Sequence, residues 1–474
     1  MAEMEMDQGA APADDSISVD EAAPARPAVM TPRGFDARHA PDPDLIADCV
    51  HCGFCLPSCP TYALWGEEMD SPRGRIQLMK MVSEGEMGLT ETVTRHWDQC
   101  LGCMACVTAC PSGVRYDRLI EATRAQVERH APRTTSERLL REMIFALFPH
   151  PGRMRLLLPL LWAYQRLGGS RLMNTPRMAQ VVAPQLRAME ATAPPVSLAK
   201  REPLPEVIPA RGQVRMRVGL LLGCVQRVFF EEVNAATIRT LTAEGCEVVI
   251  PPRQGCCGAL SIHAGREDEG LQYARRLIDS FDRVDVDVIA VNVAGCGSNL
   301  KDYAYLLRDD PRYAERAAAL SAKTRDISEF LAELEPIAPR AAIVARVAYH
   351  DACHLAHAQG IRRQPRAILE AIPGLEVVTV PESELCCGSA GIYNLVEPEP
   401  AAALGERKAR NVLSVQPDAL VASNAGCLLQ IAAALRRLDV ELPTLHPIEL
   451  VDASIRGIIP PALARVGKGI ARIN

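Results

Sequence analysis

The chain has 474 residues, a formal net charge of −6 and an aromatic content of 4%. This length is enough for two or three domains that each bury a hydrophobic core. The negative charge and the scarcity of aromatic rings argue against a nucleic-acid partner, which needs a basic surface or rings that stack on bases. The 17 cysteines are the exceptional part of the composition.

Residues 1–43 are rich in Ala, Pro, Asp and Glu and contain few large apolar side chains. Such a composition is typical of a disordered tail. Its acidic residues argue against a transit peptide, and it lacks the apolar stretch of a secretory signal.

The next segment, 44–135, contains the pattern Cys-x2-Cys-x2-Cys-x3-Cys-Pro twice. This spacing wraps a chain around two [4Fe–4S] clusters, with three thiolates of each run on one cluster and the fourth on the other. The predicted ligands are Cys49, Cys52, Cys55 and Cys110 for cluster 1, and Cys100, Cys103, Cys106 and Cys59 for cluster 2.

Two other uses of these cysteines fit the pattern less well. A structural zinc ion takes four ligands from two Cys-x2-Cys pairs, whereas here each run has four cysteines and ends in Pro. A disulfide framework needs an oxidising compartment and usually a small chain. Since thiols that bind iron must stay reduced, we expect a cytoplasmic protein or one attached to the cytoplasmic face of the inner membrane.

Residues 136–213 are predicted to form an Arg-rich helical segment followed by a Pro-rich linker. Between about 137 and 190, large apolar residues are mixed with arginines and almost no acidic residues. Two interpretations remain open. The apolar face lies on an anionic membrane surface, or it packs against this protein or a partner subunit. The apolar run is shorter than the roughly 20 residues that span a bilayer.

From residue 214 onward the chain repeats one pattern. Strands are predicted at 218–222, 247–250 and 287–291, and again at 345–349, 376–378 and 418–422. Their alternation with helical stretches is typical of βαβ units with a parallel sheet. We therefore expect two modules of one kind, at 214–335 and 336–460.

In both modules the cysteines follow the predicted strands. The first cysteine precedes a Cys-Cys-Gly sequence by 32 residues in one copy and by 33 in the other. Because the carboxyl ends of parallel strands form the ligand-binding edge of such sheets, the thiols should meet in one crevice per module. The candidates for an additional iron–sulfur cluster or for redox thiols are Cys224, Cys256, Cys257, Cys296, Cys353, Cys386, Cys387 and Cys427.

Three histidines, His350, His354 and His357, flank Cys353. They are candidates for relaying protons or for tuning a cluster through hydrogen bonds to sulfur. Polar residues at a helix start are an equally good interpretation. No G-x-G-x-x-G motif opens a βαβ unit, so we expect neither FAD nor NAD on this chain.

Together these motifs resemble the iron–sulfur subunit of glycolate oxidase (glycolate dehydrogenase) over residues 44–450. The resemblance implies an α+β protein, with a helical two-cluster ferredoxin-like domain followed by a duplicated α/β Cys-Cys-Gly domain similar to that of heterodisulfide reductase. The local sequences with this similarity are CVHCGFCLPSCPTY (49–62), DSPRGRIQLMK (70–80), CPSGVRYDRL (110–119), GCCGALSIH (255–263), LCCGSAGIYNL (385–395) and SNAGC (423–427).

The resemblance implies an electron-transfer subunit of a 2-hydroxy-acid oxidoreductase whose acceptor is not oxygen. Flavin-binding partner subunits would oxidise glycolate to glyoxylate, and this chain would pass the electrons toward a quinone or another membrane acceptor. No catalytic residue is then expected on this chain. The alternatives are the iron–sulfur subunit of a lactate or glycerol-3-phosphate dehydrogenase, and a thiol–disulfide oxidoreductase like heterodisulfide reductase.

Overall fold

A computed structural model describes residues 34–173, 175–198 and 203–466. The described chain forms a helical domain, a helical linker and two α/β modules, in the order that the sequence predicts. Residues 1–33, most of the predicted tail, lie outside the described residues.

The helical domain is built from short helices around the two cysteine runs. Side-chain oxygens of Ser71 and Thr90 accept hydrogen bonds from the first turns of the helices that follow them, which fixes where those helices begin. Its core includes the fully buried Trp97. The helices are α1 (Pro43–Ala47), α2 (Pro60–Trp65), α3 (Pro72–Ser83), α4 (Glu91–Asp98), α5 (Ala105–Ala109) and α6 (Tyr116–His130), with a 3₁₀ turn at Glu68–Asp70.

Residues 34–43, the end of the predicted disordered tail, lie against this domain. The backbone N–H of Asp36 donates to Oε1 of Gln126 at 2.9 Å, and the Asp36 carboxylate pairs with Arg129 at 3.0 Å. The composition predicted disorder for residues 34–43, but these contacts hold them against the helical domain. The partners of Asp36 lie about 90 residues later in the chain, so the local composition does not reveal them.

The linker consists of five helices within its described residues, and one of them leaves large apolar side chains in solvent. In α8, Leu156 is 81% and Leu160 70% exposed. No helix among the described residues is both long and apolar enough to cross a membrane. The helices are α7 (Thr135–Leu147), α8 (Pro151–Arg166), α9 (Gly169–Met173), α10 (Pro176–Val181) and α11 (Pro184–Thr192).

The first module is a five-stranded sheet in the order β1-β3-β2-β4-β5. All pairs are parallel except β1 with β3. The strands are β1 (Val207–Ile208), β2 (Met216–Leu221), β3 (Cys246–Val249), β4 (Val288–Val291) and β5 (Thr324–Asp326). The helices are α12 (Gln226–Phe229), α13 (Glu231–Ala243), α14 (Ala259–His263), α15 (Glu267–Phe281), α16 (Ala294–Lys301), α17 (Tyr303–Leu306), α18 (Ala314–Lys323) and α19 (Ile327–Glu333).

The second module is a four-stranded parallel sheet in the order β7-β6-β8-β9. This order equals β3-β2-β4-β5 of the first module, so the predicted duplication extends to the topology. The strands are β6 (Ala345–Tyr349), β7 (Leu375–Thr379), β8 (Ala419–Val421) and β9 (Thr444–Leu445). The helices are α20 (Cys353–Ala356), α21 (Gln364–Glu370), α22 (Tyr393–Val396), α23 (Pro398–Ser414), α24 (Ala425–Arg437), α25 (Pro447–Arg456) and α26 (Pro461–Val466).

The two modules share one large apolar core and meet at their ligand-binding edges. The backbone N–H of Ala294, after β4, donates to the carbonyl of Ser423, after β8, at 3.2 Å. The amide of Gln359 donates to the carbonyl of Ala294 at 3.0 Å. These bonds hold the two crevices side by side.

Candidate metal centres

The first group of N-terminal thiols lines a surface pocket. We call Cys49, Cys52, Cys55 and Cys110 the outer tetrad; all four line this pocket, which Cys106 also reaches. Cys52 is exposed, and Phe54 beside it is 67% exposed. None of the 17 cysteines is in a disulfide bond, so every thiol is available as a ligand.

A left-handed turn bends the outer tetrad's loop around Arg73. Gly53 has a φ of +87°, and a Cβ atom there would lie 2.8 Å from Nη1 of Arg73. The same Nη1 donates to the carbonyl of His51 at 3.0 Å, while Nε donates to Glu68 at 2.6 Å. Arg73 therefore both fixes the loop and places a positive charge beside the outer thiols.

The second group of thiols is buried around Arg75. We call Cys59, Cys100, Cys103 and Cys106 the inner tetrad; all four are buried. Arg75 is 1% exposed, and its Nη1 lies 4.0 Å from Sγ of Cys59. The same guanidinium donates to Thr61 Oγ1 at 3.0 Å and pairs with Asp70 at 3.3 Å.

The electrostatics of the inner tetrad fit an iron–sulfur cluster. Burial raises the pKa of the Cys106 thiol well above its usual value, and the neighbouring thiols add to this effect. Burial also acts to raise the pKa of Cys100, but the guanidiniums of Arg75 and Arg124 outweigh it and lower that pKa. A buried cation is costly unless negative charge lies beside it. Asp70 supplies part of that negative charge and cluster-bound thiolates would supply more, so the residues fit the group.

Two hydrogen bonds point at the sulfur of Cys100. The backbone N–H of Gly102 donates to it at 3.3 Å, and the hydroxyl of Tyr116 at 3.6 Å. Hydrogen bonds to cluster sulfurs are one of the means by which proteins set reduction potentials.

In the first module the structure brings the predicted thiols to the strand ends. Cys224, Cys256 and Cys257 are buried and Cys296 is half-buried. Gly258 has a φ of +87°, and a Cβ atom there would lie 2.6 Å from the carbonyl oxygen of Gly270. The glycine after the cysteine pair is thus required by both the turn and the close approach.

The second module repeats this arrangement with Cys353, Cys386, Cys387 and Cys427, all buried. Gly388 has a φ of +88°, and its Cβ position is again 2.6 Å from a carbonyl oxygen, that of Ala401. The amide of Asn424 donates to Sγ of Cys427 at 3.4 Å.

The cysteines of the helical domain lie next to the thiols of the second module rather than those of the first. Cys103 of the inner tetrad lies in one buried apolar cluster with Cys353 and Cys386. Among the described residues, the buried clusters that hold the first module's thiols contain no residue of the helical domain. The outer tetrad, the inner tetrad and the second crevice therefore form one continuous series.

A cavity of about 140 Å³ opens beside this series. It is lined by Leu101 of the helical domain, Arg141 of the linker, His263 of the first module, and His354 and Tyr393 of the second. Nε2 of both histidines and the Tyr393 hydroxyl are buried without hydrogen-bond partners. His263 and Tyr393 were not predicted as functional residues. In the sequence, nothing marks them except that each lies shortly after a Cys-Cys-Gly.

Known families match segments in the helical domain, in the linker and in both modules. The family described as "4Fe-4S dicluster domain" matches residues 46–114. The family described as "Glycolate oxidase iron-sulfur subunit, linker region" matches residues 136–193. The "Cysteine-rich domain" family matches twice, at 218–301 and 347–432. The predicted fold class, a helical two-cluster domain followed by duplicated Cys-Cys-Gly modules, is thereby confirmed.

Comparison with individual proteins agrees. The "Probable glycolate oxidase iron-sulfur subunit" of Bacillus subtilis (strain 168) is 40% identical over 86% of this chain and 93% of its own. The "Glycolate oxidase iron-sulfur subunit" of Escherichia coli (strain K12) is 36% identical over 89% of this chain and 97% of its own. The "Lactate utilization protein A" of Geobacillus kaustophilus is 28% identical over 50% of this chain and 99% of its own. The predicted resemblance is confirmed, and the chain belongs to the family of glycolate oxidase iron–sulfur subunits.

Proposed function

We propose that this chain transfers electrons within a glycolate-oxidising complex, from a flavin on a partner subunit to a quinone. Oxidation of glycolate to glyoxylate releases two electrons and two protons, and a reduced flavin holds both electrons. The observation that supports the proposal best is the continuous series of outer tetrad, inner tetrad and second crevice. A [4Fe–4S] cluster accepts one electron, so two adjacent clusters suit the separation of an electron pair.

The proposed ligand sets follow the crossed pattern. Cys49, Cys52, Cys55 and Cys110 hold cluster 1, and Cys100, Cys103, Cys106 and Cys59 hold cluster 2. These sets are supported by which thiols lie close enough to interact electrostatically. Cys110 and Cys52 interact with Cys49, and Cys59 interacts with Cys103 and Cys106. Exposed Phe54 and Val50 beside the outer tetrad suit a docking surface for the flavin subunit, so electrons enter there.

The protein's part in transfer is to set charge and exclude water. Arg75 and Arg124 place positive charge beside the inner tetrad, where it would stabilise a bound cluster that carries one more electron. The apolar cluster around Cys103 keeps water from the path toward Cys353. The clusters, when bound, supply the one-electron storage that no side chain of this chain offers.

We place the quinone in the cavity beside the inner tetrad. Two residues of the cavity wall contact the cysteine groups. Arg124 donates to the Cys100 carbonyl, and Nδ1 of His354 is 3.5 Å from Sγ of Cys353. Reduction of a quinone consumes two electrons and two protons. Glu397 also lines the cavity, and burial raises its pKa to about 7, which suits a proton donor near neutral pH.

A cytoplasmic protein bound peripherally to the inner membrane fits such an acceptor. The exposed Leu156 and Leu160 of α8 are accompanied by Arg153 and Arg155, and α8 contains no acidic residue. An apolar face edged by cations binds anionic lipid headgroups. The high exposure of Leu156 and Leu160 argues against the alternative that this face packs on the chain's own core.

The lactate alternative has weaker support, because relatives with that name match only half of this chain. The thiol–disulfide alternative has one specific observation in its favour. Cys386 and Cys387 are adjacent, and the hydrogen bond from Cys386 together with other neighbours lowers the pKa of Cys387 well below its usual value. A lowered pKa favours the reactive thiolate.

The test is cluster content and turnover in the assembled complex. Anaerobically purified chain should contain at least about eight irons, the number for two cubanes. Cys103→Ser should remove the inner cluster's paramagnetic signal and stop glycolate-dependent quinone reduction. Cys246→Ser is the matched control, since Cys246 is a fully buried thiol in β3 outside all four groups. Full cluster absorbance and full activity in Cys103→Ser would disprove the assignment.

A further inference from the structure

One buried histidine in the second crevice faces thiols rather than an ordinary hydrogen-bond partner. His350 is 1% exposed, neither Nδ1 nor Nε2 has a hydrogen bond of normal geometry, and the ring interacts with the Cys387 thiol. Leaving a buried polar group without a hydrogen bond costs free energy of folding. A fold that keeps an imidazole in this state has a use for its lone pair, and a metal ligand is the common use.

Two thiols of the second crevice lie close to this imidazole. One ligand atom each of His350, Cys387 and Cys427 can be chosen so that all three lie within 4.8 Å of one another. Cys353 and Cys386 belong to the same group of interacting thiols, since each affects the pKa of its neighbours. The crevice thus offers one nitrogen and four sulfurs.

Rigid elements hold this constellation. The backbone N–H of His350 donates to the carbonyl of Val421 at 2.9 Å, which extends the pairing of β6 with β8 by one residue. Cys427 lies in the first turn of α24, and Cys387 precedes Gly388, whose contact with Ala401 leaves no room for a side chain. Preorganised ligands of this kind are typical of metal sites.

The first module lacks this nitrogen. His350 stands three residues before the first cysteine of its module, and the equivalent residue of the first module is Leu221. Beside the first module's thiols lies instead Arg227, a cation that cannot bind a metal, together with Tyr273 and Tyr303. The duplicated crevices therefore differ in their ligand chemistry.

We infer that the second module holds an iron–sulfur cluster with His350 as a nitrogen ligand beside thiolates of Cys353, Cys386, Cys387 and Cys427. This inference rests on the proposed electron-transfer function and extends its path by one centre. A neutral imidazole at this fifth position leaves the cluster less negative than another thiolate would, and this raises its reduction potential. A centre of raised potential next to Cys103 draws electrons from the inner tetrad.

The test is magnetic and needs no activity measurement. Chain labelled with ¹⁵N-histidine should show, in pulsed paramagnetic resonance of the reduced protein, a nitrogen coupling as strong as direct coordination gives. Iron should exceed the roughly eight atoms of two cubanes. His350→Ala should lose the coupling and the additional iron, while His350→Cys should regain the iron without the coupling.

Two controls separate this ligand from other histidines. His354→Gln should retain the coupling, because His354 reaches only the sulfur of Cys353. His446→Ala removes another imidazole that is 1% exposed, at the start of α25, and should also retain it. Zinc in place of the additional iron, only eight irons in the wild-type chain, or a coupling that survives His350→Ala would each overturn the inference.

These failures differ from a failure of the proposed function. If only the inference is wrong, the two cubane signals and glycolate-dependent electron transfer persist. If the proposed function is wrong, the cubane iron itself is absent, or Cys103→Ser leaves electron transfer unchanged.

Discussion

The guanidinium of Arg75 lies 4.0 Å from the sulfur of Cys59, and both side chains are buried. The pair connects helix α3, which lies between the two cysteine runs, to the fourth cysteine of the first run. A positive charge in this position acts on the inner tetrad through a medium that screens it poorly.

Replacement of this cation is expected to change both stability and potential. Arg75→Met removes the charge and leaves Asp70 without one partner, which should destabilise the chain by about 3–5 kcal/mol, as for other broken buried pairs. The inner cluster's reduction potential should fall, because the added electron is no longer stabilised. Redox titration followed by paramagnetic resonance measures this. Arg73→Met is the control and should affect the outer cluster instead; an unchanged inner potential in Arg75→Met would contradict the expectation.

The glycine after each cysteine pair is expected to tolerate no side chain. In Gly388→Ala the new Cβ would lie 2.6 Å from the carbonyl oxygen of Ala401 and would force a left-handed conformation that alone costs about 1–2 kcal/mol. The melting temperature of the chain should fall. Gly255→Ala, just before the other cysteine pair, has no atom within 4 Å of the new Cβ and should melt like wild type. Equal melting of the two variants would show that the turn is adaptable.

The exposed face of α8 is expected to bind anionic lipid. Leu156→Glu with Leu160→Glu should remove most of the protein that sediments with vesicles containing anionic phospholipid, and added salt should weaken wild-type binding through screening. Vesicles of neutral lipid provide the comparison. Val344→Glu changes a side chain that is 91% exposed far from the linker and should leave sedimentation unaltered. If α8 serves only a partner subunit, wild-type chain will remain in the supernatant.

The N-terminal contact of Asp36 is expected to depend on pH. The hydrogen-bonded guanidinium of Arg129 holds the pKa of Asp36 well below its usual range. The ionised carboxylate therefore stabilises the folded state at neutral pH, and this contribution is lost as pH falls below about 4, the usual aspartate value. Hydrogen exchange should show faster exchange of amides 34–42 in Asp36→Asn than in wild type at pH 7.

This difference should narrow in acid, because wild type then also loses the charge. Asp309→Asn alters a carboxylate that is 76% exposed and remote from the N-terminus, and it should exchange like wild type. Equal exchange of amides 34–42 in Asp36→Asn and wild type at pH 7 would mean that other contacts hold this segment.

Local patterns were enough to predict much of the fold. The predicted strand at 345–349 coincides with β6, and the prediction at 287–291 differs from β4 by one residue. β4 is the run Val-Ile-Ala-Val between Asp287 and Asn292, and the last three residues of β6 are Val-Ala-Tyr before His350. In both strands the local signal and the burial agree. The grouping of each module's thiols also followed, because parallel strands end at one edge.

The relations between domains could not be predicted in this way. Nothing local to Cys103 indicates that it would lie against Cys353, about 250 residues later in the chain, since this contact arises from the packing of whole domains. The cavity has the same origin, with walls from all four parts of the chain. His350 was visible in the sequence, but its missing hydrogen bonds are a property of the packed interior.

The contact of Cys103 with Cys353 and Cys386 also has a consequence for sequence variation in the two repeats. Among the described residues, the inner tetrad shares a buried cluster with thiols of the second repeat only, although the first repeat contributes His263 to the cavity. In the proposed electron path, changes to the thiols of the first repeat would therefore leave the transfer from Cys103 to Cys353 intact. The first repeat is therefore free to vary its cysteines so long as it keeps the shared core folded, and comparison of distant relatives should find more substitutions around Cys224 than around Cys353.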